Sequence, residues 1–274
     1  MEINDTYIFQ VNAFAEGAYR GNPAGVCLLP SGRDMAFYRN VAAIMNCTET
    51  AFVYEEGNNY HLRWFSPNGT EVDLCGHATL ATAGVLFRHG FADTGLSLRF
   101  QTKSGMLTAK ADGEYIAMDF PAGEIFGIDG NAYGLDEALG IHSTYTGRTR
   151  FDAFIEVTGE STVKNMAPDY ERLKKLPGRG VIVTARSEHE GYDFVSRFFC
   201  PKLGVNEDPV TGSAHCALGV YWGYVLGKES LVGYQASAQG GIVRVKVLGE
   251  RVMLSGQTKE VPLTAERRKA LEKL

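Results

Sequence analysis

Asp73-Leu-Cys-Gly-His-Ala-Thr-Leu-Ala81 is informative about the fold, because a second stretch half a chain away looks like a copy of it: Asp208-Pro-Val-Thr-Gly-Ser-Ala-His-Cys-Ala217. Each stretch has an Asp, a short turn, a Gly, a small polar or imidazole side chain, and then an apolar helical run. Internal similarity at this distance indicates two related halves. A single cleft between the halves would then be lined by two helix N-termini.

The composition excludes several classes of protein. The chain has 274 residues, enough for one large domain or two ordinary ones, and 45% of them are hydrophobic, which provides a sizeable core. The net charge of -5 and the pI near 5.7 argue against a nucleic-acid partner. The apolar runs are too short and too interrupted for a membrane span, and the acidic N-terminus is unlike a secretory signal. We therefore expect a cytoplasmic protein with no nucleic-acid or membrane partner.

Metal and nucleotide motifs are also missing from the sequence. The five cysteines include no Cys-x-x-Cys pair, and the histidines show no ligand spacing, so we expect neither a disulfide framework nor a metal site. There is no Gly-rich nucleotide loop, no His-Glu-x-x-His and no Gly-x-Ser-x-Gly elbow.

Hydrophobic periodicity predicts short strands with a few helices between them. The predicted strands are 7–14, 26–29, 51–54, 61–65, 96–101, 105–111, 115–120, 151–157, 180–185, 192–199, 231–238, 241–248 and 251–255. The predicted helices are 34–46, the run from the first motif to about 88, 135–139, 168–176, the run from the second motif to about 226, and 264–274.

The helix after the first motif is apolar nearly all round, so we expect it to be buried on all sides, as inside a curled sheet. The pattern is not the strand–helix alternation of a doubly wound fold. We predict an α+β protein of two similar halves related by pseudo-two-fold symmetry, each a curled, mostly antiparallel, barrel-like sheet around a central helix. The halves are expected at 1–117 and 118–255, with about 256–274 able to return to the first. The Gly- and Asp-rich stretch after Pro121 is interpreted as the junction.

The helix starts are candidate anion-binding sites. A helix N-terminus offers unpaired N–H groups and a partial positive charge, which suit a carboxylate or an oxyanion. Gly76 and Gly212 would allow a ligand to approach these groups closely. The alternative interpretation is that Asp73, Asp208 and Ser213 simply cap their helices.

Three side chains are candidates for chemistry. His77 lies in the first helical turn, where the positive helix end disfavours protonation, so a neutral imidazole could bond to a substrate. Asp208 could hold an amine or orient a base. Glu49 lies between two Thr residues just before a strand, and spacing alone favours a solvated side chain. If Glu49 is instead turned into a pocket, partial burial would suit it to moving a carbon-bound proton.

Taken together, these motifs and their order resemble the phenazine-biosynthesis PhzF-type isomerases, which share the diaminopimelate epimerase fold. The resemblance covers nearly the whole chain. The matching segments are Val11-Asn-Ala-Phe14, Gly21-Asn-Pro-Ala-Gly-Val26, Thr48-Glu-Thr-Ala-Phe-Val53, Arg63-Trp-Phe-Ser-Pro67, Asp73-Leu-Cys-Gly-His-Ala-Thr79, Arg197-Phe-Phe199 and Glu207-Asp-Pro-Val-Thr-Gly-Ser-Ala-His215.

The resemblance implies an active site between two similar halves, with no metal, no organic cofactor and commonly a homodimer. It implies that Glu49 moves a proton in a small carboxylate, as the family's Glu does in a dihydro-hydroxyanthranilate ring, and this reverses the interpretation from spacing. The resemblance also implies that five residues bind the substrate: His77, Asp208, Ser213, Gly76 and Gly212. The remaining candidates are Asn22, Cys75 and Thr211.

Several alternatives stay open. Epimerases and racemases of this fold use a Cys at each helix start, and Cys75 matches the first, but Thr211 occupies the second position and Cys216 lies one turn too late. A two-thiol racemase is therefore disfavoured, while a Cys/Thr pair occurs in dehydratases of this fold that act on hydroxyproline. Another alternative is a non-catalytic protein that binds small acids. A metabolite-damage or regulatory protein whose dimer surface matters more than its cleft is the last.

Overall fold

The chain forms two compact units. The computed structural model describes residues 1–3, 5–128 and 134–274. The first unit comprises Met1–Asp119 together with Ser255–Leu274, and the second comprises Phe120–Leu254. The end of the predicted junction, from 129 onward, lies outside the described residues.

The described residues form seven α-helices and eighteen strands, apart from one short 3₁₀ helix at Pro201–Leu203. The helices are α1 (Met35–Met45), α2 (Gly76–Arg88), α3 (Leu135–Leu139), α4 (Glu160–Asn165), α5 (Tyr170–Leu173), α6 (Gly212–Leu226) and α7 (Ala265–Leu271). The strands are β1 (Glu2–Ile3), β2 (Thr6–Ala13), β3 (Asn22–Leu28), β4 (Glu49–Glu56), β5 (Asn59–Phe65), β6 (Glu71–Val72), β7 (Leu98–Thr102), β8 (Gly105–Asp112), β9 (Tyr115–Pro121), β10 (Phe126–Gly127), β11 (Ser143–Arg148), β12 (Ala153–Val157), β13 (Val181–Arg186), β14 (Phe194–Phe199), β15 (Ser230–Gln235), β16 (Gly241–Leu248), β17 (Arg251–Gly256) and β18 (Thr258–Val261).

Both units repeat one order of strand pairing. In the first unit, β2 pairs antiparallel with β3, β3 parallel with β4, β4 antiparallel with β5, β5 parallel with β7, and β7 antiparallel with β8. In the second unit, β11 to β16 follow the same alternation, antiparallel, parallel, antiparallel, parallel and antiparallel. The α+β fold of two similar halves is therefore confirmed, with curled sheets that include parallel pairs at matching places.

One apolar helix lies against the sheet of each unit. Residues 77–86 of α2 are all buried, as the all-round apolar pattern predicts. Glycines allow close approach of helix and sheet: a Cβ at Gly84 would lie 2.4 Å from Thr258 Oγ1, and one at Gly219 of α6 would lie 2.3 Å from Val245 Cγ1. Since both helices are held tightly by their sheets, their first turns have defined positions.

Local signals place several helices correctly. Asp34 accepts a hydrogen bond from the Phe37 N–H and caps α1, and Thr264 does the same for α7 through the Arg267 N–H. No helix of the described residues is both long enough and apolar enough to cross a bilayer.

Two of the strand starts that differ from the prediction bear on the candidate site. β3 begins at Asn22 rather than Val26, although it contains Pro23. Pro23 precedes Ala24, the first residue of β3 that pairs with β4, so its missing N–H costs no bond on that side. β4 begins at Glu49 rather than Ala51, which makes Glu49 a strand residue with a side chain set by the pleat.

Candidate active site

In the first unit, strand β4 and helix α2 bring together three chemically active side chains. Glu49 is the first residue of β4, Cys75 is the N-cap of α2, and His77 lies in the first turn of α2. Cys75 Sγ lies 3.8 Å from Glu49 Oε2 and 3.5 Å from His77 Nδ1. His77 Nε2 lies 3.3 Å from the same Glu49 oxygen. The carboxylate, the thiol and the imidazole are thus each in contact with the other two.

Glu49 is shielded from solvent. Its side chain is only 20% exposed, so the solvated side chain that spacing alone favours is wrong. The neighbouring Thr48 hydroxyl donates to Asn22 Oδ1 at 2.8 Å, and Asn22 is fully buried. Asn22 thereby holds the chain at the start of β4. Its contact assigns it a supporting position beside Glu49.

His77 is held in the neutral state by burial. The residue is 5% exposed, and desolvation lowers the pKa of its imidazole from 6.5 to about 3. Burial is therefore the main reason that the His77 imidazole is neutral, whereas the sequence analysis attributed its neutrality to the positive end of the helix. Nε2 lies 3.3 Å from Glu49 Oε2 without forming a hydrogen bond, and this buried nitrogen has no hydrogen-bonding partner among the described residues.

The N-cap side chains of the two motif helices make no capping hydrogen bond. The N-cap residues are Cys75 and Thr211, and neither makes a side-chain hydrogen bond to its helix. The N-cap positions are thus held by Cys75 and Thr211 rather than by Asp73, Asp208 or Ser213. Because these two N-cap side chains do not bond to the first-turn N–H groups of α2 and α6, those groups are suited to an anion.

The two motif aspartates have different surroundings. Asp73 is exposed and forms an ion pair with Lys103 at 2.6 Å. Asp208 is partly buried, and its Oδ2 accepts a hydrogen bond from Thr211 Oγ1 at 2.6 Å. The sequence similarity of the motifs therefore does not extend to the role of Asp73. Thr211 is occupied as the donor to Asp208.

Gln235 fixes the turn before α6. It is fully buried on β15; its Nε2 donates to the Asp208 carbonyl at 2.7 Å, and its Oε1 accepts from the Thr211 N–H at 2.9 Å. The Ser213 hydroxyl accepts a bond from Arg179 Nη2 at 2.9 Å. Sequence reasoning missed Gln235 and Arg179, and no motif marks Gln235.

An Arg–Glu pair supports each motif and was also missed. In the first unit, Arg63 Nε and Nη2 donate to the two carboxylate oxygens of Glu71 at 2.8 and 2.9 Å. In the second, Arg197 donates to Glu207 in the same two-fold manner at 2.7 and 2.8 Å. Such fork geometry fixes the loop between strand and helix. The signal was present as Arg-x-Phe-x-Pro in both halves.

The cluster in the first unit could also offer metal ligands. Glu49, Cys75 and His77 each place one ligand atom within 4.8 Å of the others. However, the short contact of His77 to the thiol uses Nδ1, whereas its short contact to the carboxylate uses Nε2. The short contacts allow the three groups to share protons, and one ligand atom from each residue also lies close enough to the others for coordination of one ion.

The five cysteines form no disulfide, and all are buried. Burial raises the pKa of the Cys216 thiol to about 12, so Cys216 stays protonated at neutral pH. Cys75 alone among the five contacts both Glu49 and His77. It is therefore the thiol to test for a part in chemistry.

Comparison with known proteins places this geometry in a family. The family model described as phenazine biosynthesis-like protein, PhzC-PhzF, matches residues 11–262. An uncharacterized isomerase of Halalkalibacterium halodurans is 47% identical over 252 residues, which cover 92% of this chain and 95% of that protein. An uncharacterized isomerase of Pseudomonas aeruginosa is 49% identical over 250 residues, which cover 91% of this chain and 94% of that protein.

Solved structures agree with these relatives. The crystal structure of a PhzF family protein from Enterococcus faecalis superposes with a TM-score of 0.87 at 42% identity, covering 93% of this chain and 98% of that one. A hydroxyproline epimerase from Agrobacterium vitis has a TM-score of 0.58 at 8% identity over 96% of this chain and 92% of its own, which shows the shared fold alone. The match over nearly the full length and the identity of the relatives lead to one conclusion: the chain belongs to the PhzC-PhzF family of phenazine biosynthesis-like isomerases.

Proposed function

We propose that this chain is a cofactor-independent isomerase that moves a carbon-bound proton in a small carboxylate substrate, with Glu49 as general acid and base. The observation that carries the proposal is the shielded carboxylate of Glu49 at the start of α2, beside a neutral His77. A carboxylate placed against a substrate C–H with water largely excluded is a competent proton carrier.

The reaction conserves one proton. Glu49 takes a proton from one substrate carbon, and the electron pair of that C–H bond moves into the neighbouring π system. The same carboxyl group, now protonated, returns the proton to another carbon of that system, and a double bond shifts position. No oxidant, reductant or second substrate is needed.

His77 is proposed to orient both the base and the substrate. A neutral imidazole has one N–H, and the Cys75 thiol beside Nδ1 favours the tautomer with the hydrogen on Nε2. This N–H is then available to Glu49 or to a substrate oxygen after a small rotation of the ring. Because the imidazole stays uncharged, it does not hold the Glu49 carboxylate as a fixed ion pair.

The helix starts are proposed to bind the charged groups of the substrate. Backbone N–H groups near Gly76 and Gly212 would bind the carboxylate or a developing oxyanion. Asp208 would hold an amino group of the substrate, and Ser213 would add a hydrogen bond. The absence of a capping bond from the N-cap side chains of Cys75 and Thr211 supports this assignment.

A hydrogen-exchange screen tests the function. The protein is incubated in deuterium oxide with aromatic and cyclic amino acids, and incorporation at carbon is followed by NMR. Exchange at one or more C–H positions supports the isomerase. Small acids that bind but never exchange support the alternative of a non-catalytic binding protein.

The position of Cys75 favours a second candidate function, a racemase or dehydratase that depends on its thiol. The thiol lies 3.8 Å from Glu49 and 3.5 Å from His77, close enough to share a proton with either. Under this alternative, a thiol alkylator would inactivate the protein, and substrate would protect it.

Cys75→Ser separates the two mechanisms. If Glu49 is the proton carrier, the exchange rate of Cys75→Ser should stay within about tenfold of wild type, because serine keeps a donor at the same place. Cys47→Ser, at another buried thiol, is the matched control. Complete loss of exchange in Cys75→Ser alone, in a folded protein, would establish the thiol mechanism instead.

We further propose a homodimer, on the basis of the family resemblance. Light scattering should then give twice the chain mass of 29.9 kDa at micromolar concentration. A mass of one chain across the accessible concentration range would contradict the dimer.

A further inference from the structure

The repeated strand order shows which residue of the second unit occupies the place of Glu49. In the first unit, Thr50 pairs with Phe65 across β4 and β5. In the second unit, Val181 pairs with Phe199 across β13 and β14. Both phenylalanines end an Arg-x-Phe segment that precedes the motif, so Thr50 corresponds to Val181. The residue before each of them is Glu49 in the first unit and glycine in the second.

That glycine cannot be replaced by a residue with a side chain without movement. A Cβ at Gly180 would lie 2.6 Å from Phe198 Cζ and 2.7 Å from the Phe199 carbonyl oxygen. The Phe199 oxygen belongs to the backbone of a paired strand, so it cannot move without disturbing that pairing. The place that holds the acidic side chain in the first unit is therefore empty of a side chain in the second, and the preceding residue, Arg179, is the one that reaches the helix start.

Arg179 lies in the second unit against the same helix position that Glu49 lies against in the first. Glu49 lies against His77, the second residue of α2. Arg179 Nη2 donates at 2.9 Å to the hydroxyl of Ser213, the second residue of α6. A carboxylate thus faces one helix start and a guanidinium faces the corresponding position of the other.

The guanidinium of Arg179 is locked in place. Nε donates to Asp152 Oδ1 at 3.1 Å, and Nη2 donates to Asp152 Oδ2 at 2.7 Å. The Asp152 side chain is 2% exposed, and the guanidinium lies 5.5 and 5.6 Å from the ring centres of Phe151 and Phe198. A planar fork held by two bonds and two rings presents its remaining donors in one direction.

This lock decides how the Ser213 hydroxyl can bond. Because its oxygen accepts from Arg179, its own proton points to another partner, so the group is fixed as a donor. Asp152 offsets the charge of Arg179, which means that the arginine acts through the hydroxyl rather than as a free cation. A fixed donor at a helix start suits an acceptor oxygen with negative charge.

We propose that Arg179 is a positioning residue that, held by Asp152, fixes the Ser213 hydroxyl as a donor to a carboxylate or oxyanion of the ligand. The inference rests on the proposed function in one respect, that Ser213 contacts the substrate. It adds a specificity device to that site, since a ligand oxygen that cannot accept a strong hydrogen bond is bound less tightly.

A double-mutant cycle on binding tests the proposal. The dissociation constant of 2-aminobenzoate is measured by calorimetry for wild type, Arg179→Met, Ser213→Ala and the double variant, with uncharged 2-aminobenzamide as the second probe. Wild type should prefer the carboxylate by about tenfold, which corresponds to one charged hydrogen bond. Either single substitution should remove most of that preference, and the double variant should bind no more weakly than Ser213→Ala.

The controls separate positioning from loss of fold. Arg172→Met removes an arginine of an exposed ion pair with Asp169 in the same unit and should leave both constants unchanged. Arg179→Lys keeps a charge beside Asp152 but cannot form the fork, so it should restore part of the preference. If Arg179→Met does not fold, the same cycle is read with Arg179→Lys.

Three outcomes overturn the proposal: additive effects of the two substitutions in a folded protein, an unchanged preference in Arg179→Met, or a wild type that does not prefer the carboxylate. The cycle measures binding, whereas the proton-transfer assignment is tested by exchange at carbon, so failure of the one and failure of the other appear in different measurements.

Discussion

Glu49→Gln is expected to lower turnover by about 10²–10⁴-fold, the usual contribution of a general acid–base group. Glutamine has nearly the same shape but cannot accept a proton from carbon, so the fold and the binding of small carboxylates should be retained. The measurement is the rate of deuterium incorporation into the acid that the exchange screen identifies, together with its dissociation constant. We expect the rate of deuterium incorporation to be lost while the dissociation constant stays unchanged.

Glu55→Gln is the matched control for this experiment. Glu55 lies on the same strand β4, but its side chain is exposed. The same chemical change there should leave the rate unaltered. Full activity of Glu49→Gln would defeat the assignment of Glu49 as the proton carrier.

Acidification from pH 6.5 toward pH 4 is expected to destabilise the protein through two buried histidines. Burial lowers the pKa of His77 to about 3 and that of His215 to about 4, whereas both titrate near 6.5 in the unfolded chain. Between these values the unfolded state binds more protons than the folded state, so the free energy of unfolding falls as pH falls. Each histidine contributes up to about 1.4 kcal/mol per pH unit, and above pH 6.5 this contribution is complete.

Urea unfolding at a series of pH values between 7 and 5 checks this expectation. In His77→Gln the slope of unfolding free energy against pH should fall by about one histidine's share, about 1.4 kcal/mol per pH unit. His189→Gln is the control because His189 is exposed in a turn. A slope unaffected by His77→Gln would mean that the imidazole is not held neutral by the fold.

The helices illustrate how far local signals reach. Helix α3 lies where it is predicted, and the predicted spans of α1 and α7 enclose the observed ones together with their caps, because apolar spacing and an N-cap act over a few neighbouring residues. Helix α5 is shorter than predicted, and helix α4 was not predicted. The start of α4 depends on a distant residue, since Glu188 Oε1 accepts from the Glu160 N–H at 3.3 Å. No local pattern contains such a contact.

The strands show the same limit on what local sequence patterns predict. Strand β16 matches its prediction, because apolar and polar residues alternate along it. Strand β11 is missing from the prediction, because its polar sequence, Ser-Thr-Tyr-Thr-Gly-Arg, carries no such alternation and is ordered by pairing with β10 and β12. Cross-strand pairing supplied what periodicity did not.

The residues of the candidate site likewise divide into those that the sequence indicates and those that it does not. The motif residues Gly76, His77, Gly212 and Ser213 are legible in the sequence, because the two stretches repeat each other and each precedes an apolar helix. Spacing alone misplaces the Glu49 side chain, and only the resemblance to a family points to it. Neither the repeated motifs nor the family resemblance indicates Arg179, although aligning the paired strands of the two halves leads to it.

The α+β organisation, its repetition and the residue types at the helix starts follow from the amino-acid sequence, since they arise from local periodicity and from internal similarity. The shielding of Glu49 beside Cys75, 26 positions away, and the contact of Arg179 with Ser213, 34 positions away, arise only in the folded chain. Strand register and the seat of each helix on its sheet set such distances, and both depend on the burial of the whole core rather than on any short stretch of chain.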